Sequence, residues 1–496
     1  MDVDPIDSEI ANQYTQQPRR RQARPVDDAH PFDLDAYIAS YTGRTTVDRL
    51  LAITASCPSI APQALKLAFN HIYRLRDTSL VQAALAAYAS AATYPEGQGL
   101  PPPGDVVVVD AAWVEEVTKK NLAERTKLEV ELKSYTNNMI KESIRMAHRD
   151  LGEHYRATGD FASALKHLTK SREFCSTSQH VLDMCLSVLE LVIEQRNYSH
   201  ISSYIYKADA ALESTTTATS GSAEGAATAV SAQPTSKKPS PEREQVQSKL
   251  DFAMALSHLG QGNYEKAASL FLRLGSPDQL GDWVGKLVAP GDIAIYGTLC
   301  ALASLSRSAI KAQLLRNPVF SAYIEQEPYI RDVIQAYMSS DFKTTLDILS
   351  KYSTRHYIDI HLGAHVNDVT QHLRQTTVVL YFQPFETIRF DRMAAAFGWS
   401  IEEVEREVVA LIQIGQIQGR VDSQNKILRA KKTDHRAELF EHAMKTALDI
   451  QSTNRKLLLR MRLQQADLVV KSPKITLKRD QTQNLLDSPM AIVDLS

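Results

Sequence analysis

Cysteine is scarce in this sequence, and Cys57, Cys175, Cys185 and Cys300 form no Cys-x-x-Cys pair. That spacing excludes a disulfide framework and a thiolate zinc site, and four reduced, mostly buried thiols are expected. An excess of charge is missing too, since 56 basic side chains meet 58 acidic ones and the net charge is -2. Such a balance argues against a nucleic-acid or polyanion binder. Long apolar runs are also absent. The longest, residues 293–305, is interrupted by Gly297 and falls short of the roughly 20 residues that cross a bilayer, so no membrane partner is expected. The amino terminus, MDVDPIDSE, is acidic and lacks an apolar stretch, which excludes a secretory signal and leaves a soluble, intracellular chain as the expectation.

The motifs of catalysis are lacking as well. There is no Gly-x-Gly-x-x-Gly and no Gly-x-Ser-x-Gly. The nearest thing to a phosphate loop, Gly281-Asp-Trp-Val-Gly285-Lys286-Leu287, is one residue too short and has Leu287 where a magnesium-binding hydroxyl belongs. His356, His361, His365 and His372 cluster, and His361 and His365 stand four apart. A zincin, however, needs Glu where this chain has Leu362, and Gly363 weakens the helix that would align the pair. No His-x-His followed by Ser and Asp occurs, the pattern of the deubiquitinase-type metalloproteases. No catalytic residue, cofactor or metal ligand is assigned.

What is present is helix. Residues 1–31 mix Pro, Gln, Arg and Asp with little hydrophobicity and are expected to be disordered. Within them Pro18-Arg19-Arg20-Arg21 reads as a solvated basic run, with nuclear import as its alternative use. Helical patterning begins at Phe32. Past the loop at residues 101–104 no proline occurs until Pro234, which favours helix throughout, starting with a long one that carries Trp113, Leu128 and Met139.

A repeat then emerges. Leu151-Gly152 with Tyr155, Gly159, Ala164 and Leu168 has tetratricopeptide spacing, in which small residues let two antiparallel helices approach closely. The turn Gly159-Asp160-Phe161 recurs as Gly262-Asn263-Tyr264, and in weaker form at Asn197-Tyr198 and Asp341-Phe342. Asp160 and Asn197 are 37 residues apart. Asn197 and Asn263 are 66 apart, or 38 without the 28-residue Ser/Thr/Ala/Gly tract at 214–241, which cannot form a packed core. Asn263 and Asp341 are 78 apart, two units of 39, so one further turn is expected near Ser306. The expected fold is mainly α, a right-handed helical-repeat (TPR-like) solenoid with a loop inserted in it. By this reading helical repeats fill 32–213 and 244–383, and a disordered insert fills 214–243.

Residues 387–428 read as a winged helix, within a unit placed at 384–430. Asp391 is expected to cap a first helix with Met393, Ala394 and Phe397 inward, and Gly398 allows the turn. Ser400 and Glu403 form a capping box for a second helix with Ile401, Val404, Val408, Leu411 and Ile412 on one face, ended by Gly415. Ile417 and Val421 alternate with polar residues, 422–425 turn, and Ile427 with Leu428 returns as a strand. The second helix carries Glu402, Glu403, Glu405 and Glu407 against Arg406 alone, which opposes docking on phosphates. Arg420, Lys426, Arg429, Lys431 and Lys432 are explained by a solvated strand edge as well as by a nucleic-acid contact, and pairing with a protein through the wing edge is the better use. Residues 434–470 read as one long helix that packs in a bundle with helices of partners, and 471–496 as a disordered tail with Leu485-Leu486 and Ile492-Val493 as short docking points. The residues expected to contact protein partners are Ile388, Ile417, Gly419, Val421, Lys426, Ile427 and Leu428 in the wing, and Phe440, Met444, Leu448, Leu458 and Met461 in the helix.

Several separate segments carry a family resemblance: Asp35-Ala-Tyr-Ile-Ala-Ser-Tyr41, Ile140-Lys-Glu-Ser-Ile144, Asp150-Leu-Gly-Glu-His-Tyr155, Tyr296-Gly-Thr-Leu-Cys-Ala-Leu302, Arg392-Met-Ala-Ala-Ala-Phe397, and Arg420-Val-Asp-Ser423 with Lys426-Ile-Leu428. With the order of elements, they resemble the PCI-domain family, the module shared by scaffold subunits of the proteasome lid, the COP-nine signalosome and a translation initiation factor complex, and within it the signalosome branch. The likeness covers most of residues 32–470 and leaves out the tract at 214–241 and the Pro101 loop. It implies a non-catalytic scaffold in the complex that removes the ubiquitin-like Nedd modifier from cullins and so tunes cullin-RING ubiquitin ligases. Its partners would be other signalosome subunits, of PCI and metalloprotease type. The isopeptidase chemistry would lie in a different, zinc-bearing subunit. Winged domains would pair edge to edge, terminal helices would gather in a bundle, and the amino-terminal repeats would reach toward substrate or regulatory partners, in cytoplasm and nucleus. The alternatives are a related subunit of the proteasome lid and, in another class, a DNA-binding winged-helix regulator.

Overall fold

A computed structural model describes residues 23–220, 241–431 and 435–468. The Pro18-Arg19-Arg20-Arg21 run, most of the Ser/Thr/Ala/Gly tract, Lys432 and the tail lie outside the described residues. The chain divides into two compact units, one ending at Arg429 and the other starting at Ala430.

The first unit opens with four helices, α1 (Leu34–Ala39), α2 (Gly43–Ser56), α3 (Ala61–Ile72) and α4 (Ser79–Ala92). Asp33 starts α1 because its carboxylate accepts the Asp35 and Ala36 amides at 3.0 and 3.1 Å. Val47, Leu50, Leu65, Phe69 and Leu80 meet in one core, and burying each such side chain contributes about 1.5–3 kcal/mol. Of the arm expected to be disordered, residues 23–31 are described, and they are held in place. The Arg24 amide donates to the Ser56 carbonyl at 2.8 Å, its guanidinium lies 3.5 Å above the Tyr357 ring, and the Thr354 hydroxyl donates to the Pro25 carbonyl at 2.7 Å. Composition reports what a segment buries by itself, and this one is held by surface belonging to residues far along the chain.

The long helix α5 (Ala111–Asn137) follows, its Trp113 set edge-on to Tyr73 at 5.0 Å. Antiparallel hairpins come next: α6 (Lys141–Thr158) with α7 (Phe161–Lys170), α8 (Ser178–Glu194) with α9 (Ile201–Ser220), and α10 (Pro241–Gly260) with α11 (Tyr264–Phe271). Close approach in the first hairpin depends on Gly152, where an added Cβ would stand 2.7 Å from Leu168 Cγ. Helix α9 runs on to Ser220 and α10 begins at Pro241, so both ends of the expected insert are helical.

Helix α12 (Pro290–Ser304) is buried on every side, and the chain turns after it at Ser306, which accepts the Ala309 amide at 3.4 Å. This is not the repeat turn expected there, since no left-handed residue precedes Ser306 and the helix it opens, Arg307–Ile310, has four residues. Then come α13 (Pro318–Ile324), the hairpin of α14 (Pro328–Met338) with α15 (Phe342–Lys351), α16 (Ser353–Ile358) and α17 (Val366–Phe382). The winged unit joins this array through Phe397, which stacks on Phe342 at 5.8 Å. It consists of β1 (Thr387–Arg389), α18 (Phe390–Phe397), α19 (Ile401–Ile414), β2 (Gly419–Asp422) and β3 (Ile427–Ala430), in sheet order β1-β3-β2. Strands β1 and β3 are antiparallel, with Ile388 opposite Leu428. Asp391 does not cap α18. Arg389 occupies that position, and Asp391 sits in the first turn, paired to Arg389 at 2.8 Å. The buried residues of α18 are Phe390, Met393 and Phe397, and those of α19 are Val404, Val408 and Leu411, whereas Ile401 is exposed. The described part of the second unit is α20 (His435–Gln465), which stops short of residue 470.

Candidate protein-interaction surfaces

The groups that suggested chemistry are tied into the fold. Helix α16 ends at Ile358 and α17 begins at Val366, so His361 and His365 lie in a connection and share no helix face. Each of three histidines meets a tyrosine hydroxyl: His356 with Tyr329 at 2.9 Å, His361 with Tyr198 at 2.7 Å and His365 with Tyr264 at 3.4 Å. Burial lowers the imidazole pKa to about 3 at His356 and about 4 at His361. Among the described residues no group of three or more His, Cys, Asp or Glu is placed to hold a metal ion. No described helix is long and apolar enough to cross a membrane.

The near phosphate loop is a clasp. Trp283 is fully buried and its indole N–H donates to Glu190 at 2.8 Å. Lys286 pairs with the same carboxylate, and the Gly285 carbonyl accepts the Thr42 amide at 2.8 Å. The segment thereby fastens the α1–α2 connection to α8.

The most buried charges form a second clasp. Arg49, fully buried, donates to Asp359 at 2.8 Å and to Asp292 at 2.9 Å. Arg355 donates to Asp292 at 2.6 Å, and the Tyr41 and Tyr296 hydroxyls close the ring, each at 2.6 Å, onto Asp292 and Asp359. Burial alone would raise the Asp359 pKa, yet Arg49, His361 and Arg355 hold it well below the usual carboxylate range. Sequence reasoning missed this network. Its members are too far apart in the chain for any spacing to mark them.

In the wing, the apolar contact residues divide. Ile388 and Ile417 are 4% exposed and Leu428 is fully buried, so all three fill the winged unit's own core. Gly419 and Val421 lie half-buried on β2, an edge strand, with Arg420 exposed between them. Ile427 is half-buried on the central strand. Lys426 pairs with Glu405 at 2.7 Å, and Arg374 with Glu403 at 2.5 Å. Helix α19 thus has part of its negative charge compensated within the fold.

On α20 the five residues named from the sequence all stand open in the chain: Phe440 69%, Met444 49%, Leu448 61%, Leu458 56% and Met461 63% exposed. Neighbouring Leu439, Ile450, Leu457 and Leu459 are exposed with them. So much exposed apolar area on one helix goes beyond the singly scattered apolar residues of an ordinary surface.

The PCI domain family matches residues 331–432, and the family described as 26S proteasome subunit RPN7 matches residues 110–313. Helical repeats leading into a winged helix, matched in this way, define a PCI-domain protein. The chain is 33% identical over 443 residues to COP9 signalosome complex subunit 1 of Arabidopsis thaliana, an alignment that takes in 89% of this chain and 91% of the relative. It is 31% identical over 508 residues to COP9 signalosome complex subunit 1b of Drosophila melanogaster, covering 95% of this chain and 92% of the relative. It is 21% identical over 343 residues to 26S proteasome non-ATPase regulatory subunit 6 of Oryza sativa subsp. japonica, covering 69% and 80%. The chain belongs to the family of COP9 signalosome complex subunit 1.

Proposed function

We propose that this chain is a non-catalytic scaffold subunit of a COP9 signalosome, working in cytoplasm and nucleus. The observation that carries the reading is the similarity to signalosome subunit 1 along nearly the whole chain, 33% in identity over 89% of its length. The exposed apolar surface of α20 supports it, because a helix of this kind is stable in water only when covered by other helices. In this role the chain holds other PCI subunits and a metalloprotease-type subunit together, and that second subunit removes the Nedd modifier from cullin-RING ligases. The edge of β2, with Gly419 and Val421, pairs with a neighbouring winged sheet by strand addition. Phe440, Met444, Leu448, Leu458 and Met461 enter a helical bundle.

Copurification tests the first part. Other signalosome subunits are expected in the pull-down, and proteasomal ATPases in their place would assign the chain to the proteasome lid. Deletion of residues 435–468 tests the second. The first unit should melt as in the full chain while assembly is lost, and an unchanged complex size on a sizing column would sink the bundle.

A further inference from the structure

Helix α20 has a pattern that its apolar surface alone does not explain. At about 100° per residue, Leu439, Phe440, Met444, Ala447, Leu448 and Ile450 fall within one half of its circumference. Glu438, Glu441, His442, Lys445 and Asp449 fall in the other. About two turns after Ile450, Leu457, Leu458 and Met461 continue the apolar half, while Leu459 and Leu463 fall in the other. Between these two blocks the same half is occupied by Gln451, Asn454 and Arg455. The succession Phe440, Met444, Ala447, Gln451, Asn454, Leu458 and Met461 advances by alternating steps of four and three, the spacing of helices that pack in register. Its two polar members are adjacent and sit at its middle.

We propose that Gln451 and Asn454 form a polar layer inside the packed face of α20, one that admits only a partner helix carrying hydrogen-bonding side chains at the same level. The inference rests on α20 being the helix through which the chain assembles. A buried amide without a partner is costly, whereas a paired one is nearly neutral. The layer therefore rejects an all-leucine stripe and rejects a partner shifted by one heptad, since either leaves both amides facing methyl groups. The occupant that fits is a helix of another chain with apolar residues above and below the layer and amide or hydroxyl side chains within it. A carboxylate at the rim of that helix would face Arg455. A single polar position in a heptad stripe fixes register and partner in the same way.

The experiment uses the full chain coexpressed with the signalosome subunits that copurify with it. Wild type and a differently tagged variant compete for one set of partners, and native mass spectrometry reads the incorporated ratio. Q451L/N454L retains the helix, because leucine is the better helix former, and far-UV circular dichroism verifies this. Its incorporation is expected to fall about tenfold, and its free chain is expected to self-associate in sedimentation velocity. The amide-preserving N454Q should compete as wild type does. Equal incorporation of Q451L/N454L, with unchanged sedimentation, overturns the layer. So does a free wild-type chain that forms homo-oligomers through α20, since a second copy is then the occupant. L458D separates the two ideas. If L458D incorporates like wild type, α20 is not the assembly helix; if L458D is excluded while Q451L/N454L enters freely, only the polar layer fails.

Discussion

His356 and His361 are held neutral inside the first unit, with folded pKa values of about 3 and about 4 against an ordinary 6.5. As the pH falls from 6.5 toward 4, the unfolded chain binds more protons than the folded one, and stability is lost through that window. Asp48 works in the opposite sense. Burial raises its carboxyl from 3.8 to about 6 despite Arg44, so its contribution is complete below 3.8 and is lost as the pH rises through 6. A pKa difference is linked to stability at about 1.4 kcal/mol per unit, so two histidines outweigh one carboxyl. The melting temperature is expected to fall on acidification from pH 6.5 to 4. His361→Gln should lower the value at pH 7 and flatten that slope. An unchanged slope in the variant, read by differential scanning fluorimetry, would remove His361 from the account.

At the scale of elements, four hairpin turns share one geometry. A residue in the left-handed region comes first, Gly159 at φ 87°, Arg196 at 59°, Gly262 at 77° and Ser340 at 64°, and an Asp or Asn follows it. Two of the turns were plain in the sequence because glycine adopts that region freely. The other two were faint because Arg196 and Ser340 hold it at a cost, of about 1–2 kcal/mol for an L residue. Arg196→Gly is accordingly expected to stabilise the chain by about 0.5–1 kcal/mol. Gly152→Val should destabilise it by about 1–3 kcal/mol, because the new side chain enters the space of Leu168. Urea denaturation measures both, and a neutral Gly152→Val would mean that α6 and α7 separate easily. The wing shows the opposite limit of legibility. Strand alternation marks Ile388, Ile417 and Leu428 as apolar but does not say whether their face meets a partner or α18 and α19, and the structure turns all three inward. On α20 no helix of the same unit is described that could cover the stripe, so the pattern alone was enough to pick out exposed residues.

For the molecule as a whole, the matches to known families leave out α1 to α4, and yet Arg49 of α2 binds one carboxylate in each matched region. Asp292 lies within 110–313 and Asp359 within 331–432. The three segments meet at one buried point although Arg49 is 243 positions from Asp292 and 310 from Asp359. Periodicity has no reach over such distances, which is why no spacing in the sequence marks the joint that fastens α2 to α12 and to Asp359 beyond the end of α16. Desolvation makes the ionic cluster a poor source of net stability compared with apolar packing, but losing one member leaves its partners charged and buried. Arg49→Ala is therefore expected to cost about 3–5 kcal/mol, and Arg49→Met about as much, since neither neutralises Asp292 and Asp359. Adding Asp359→Asn to Arg49→Met should recover part of the loss, because one uncompensated charge is then gone. Thermal unfolding of the single and double variants decides the matter: additive losses would mean that Arg49 and Asp359 act independently, and that α1 to α4 are held by their apolar contacts and the Trp283 clasp instead.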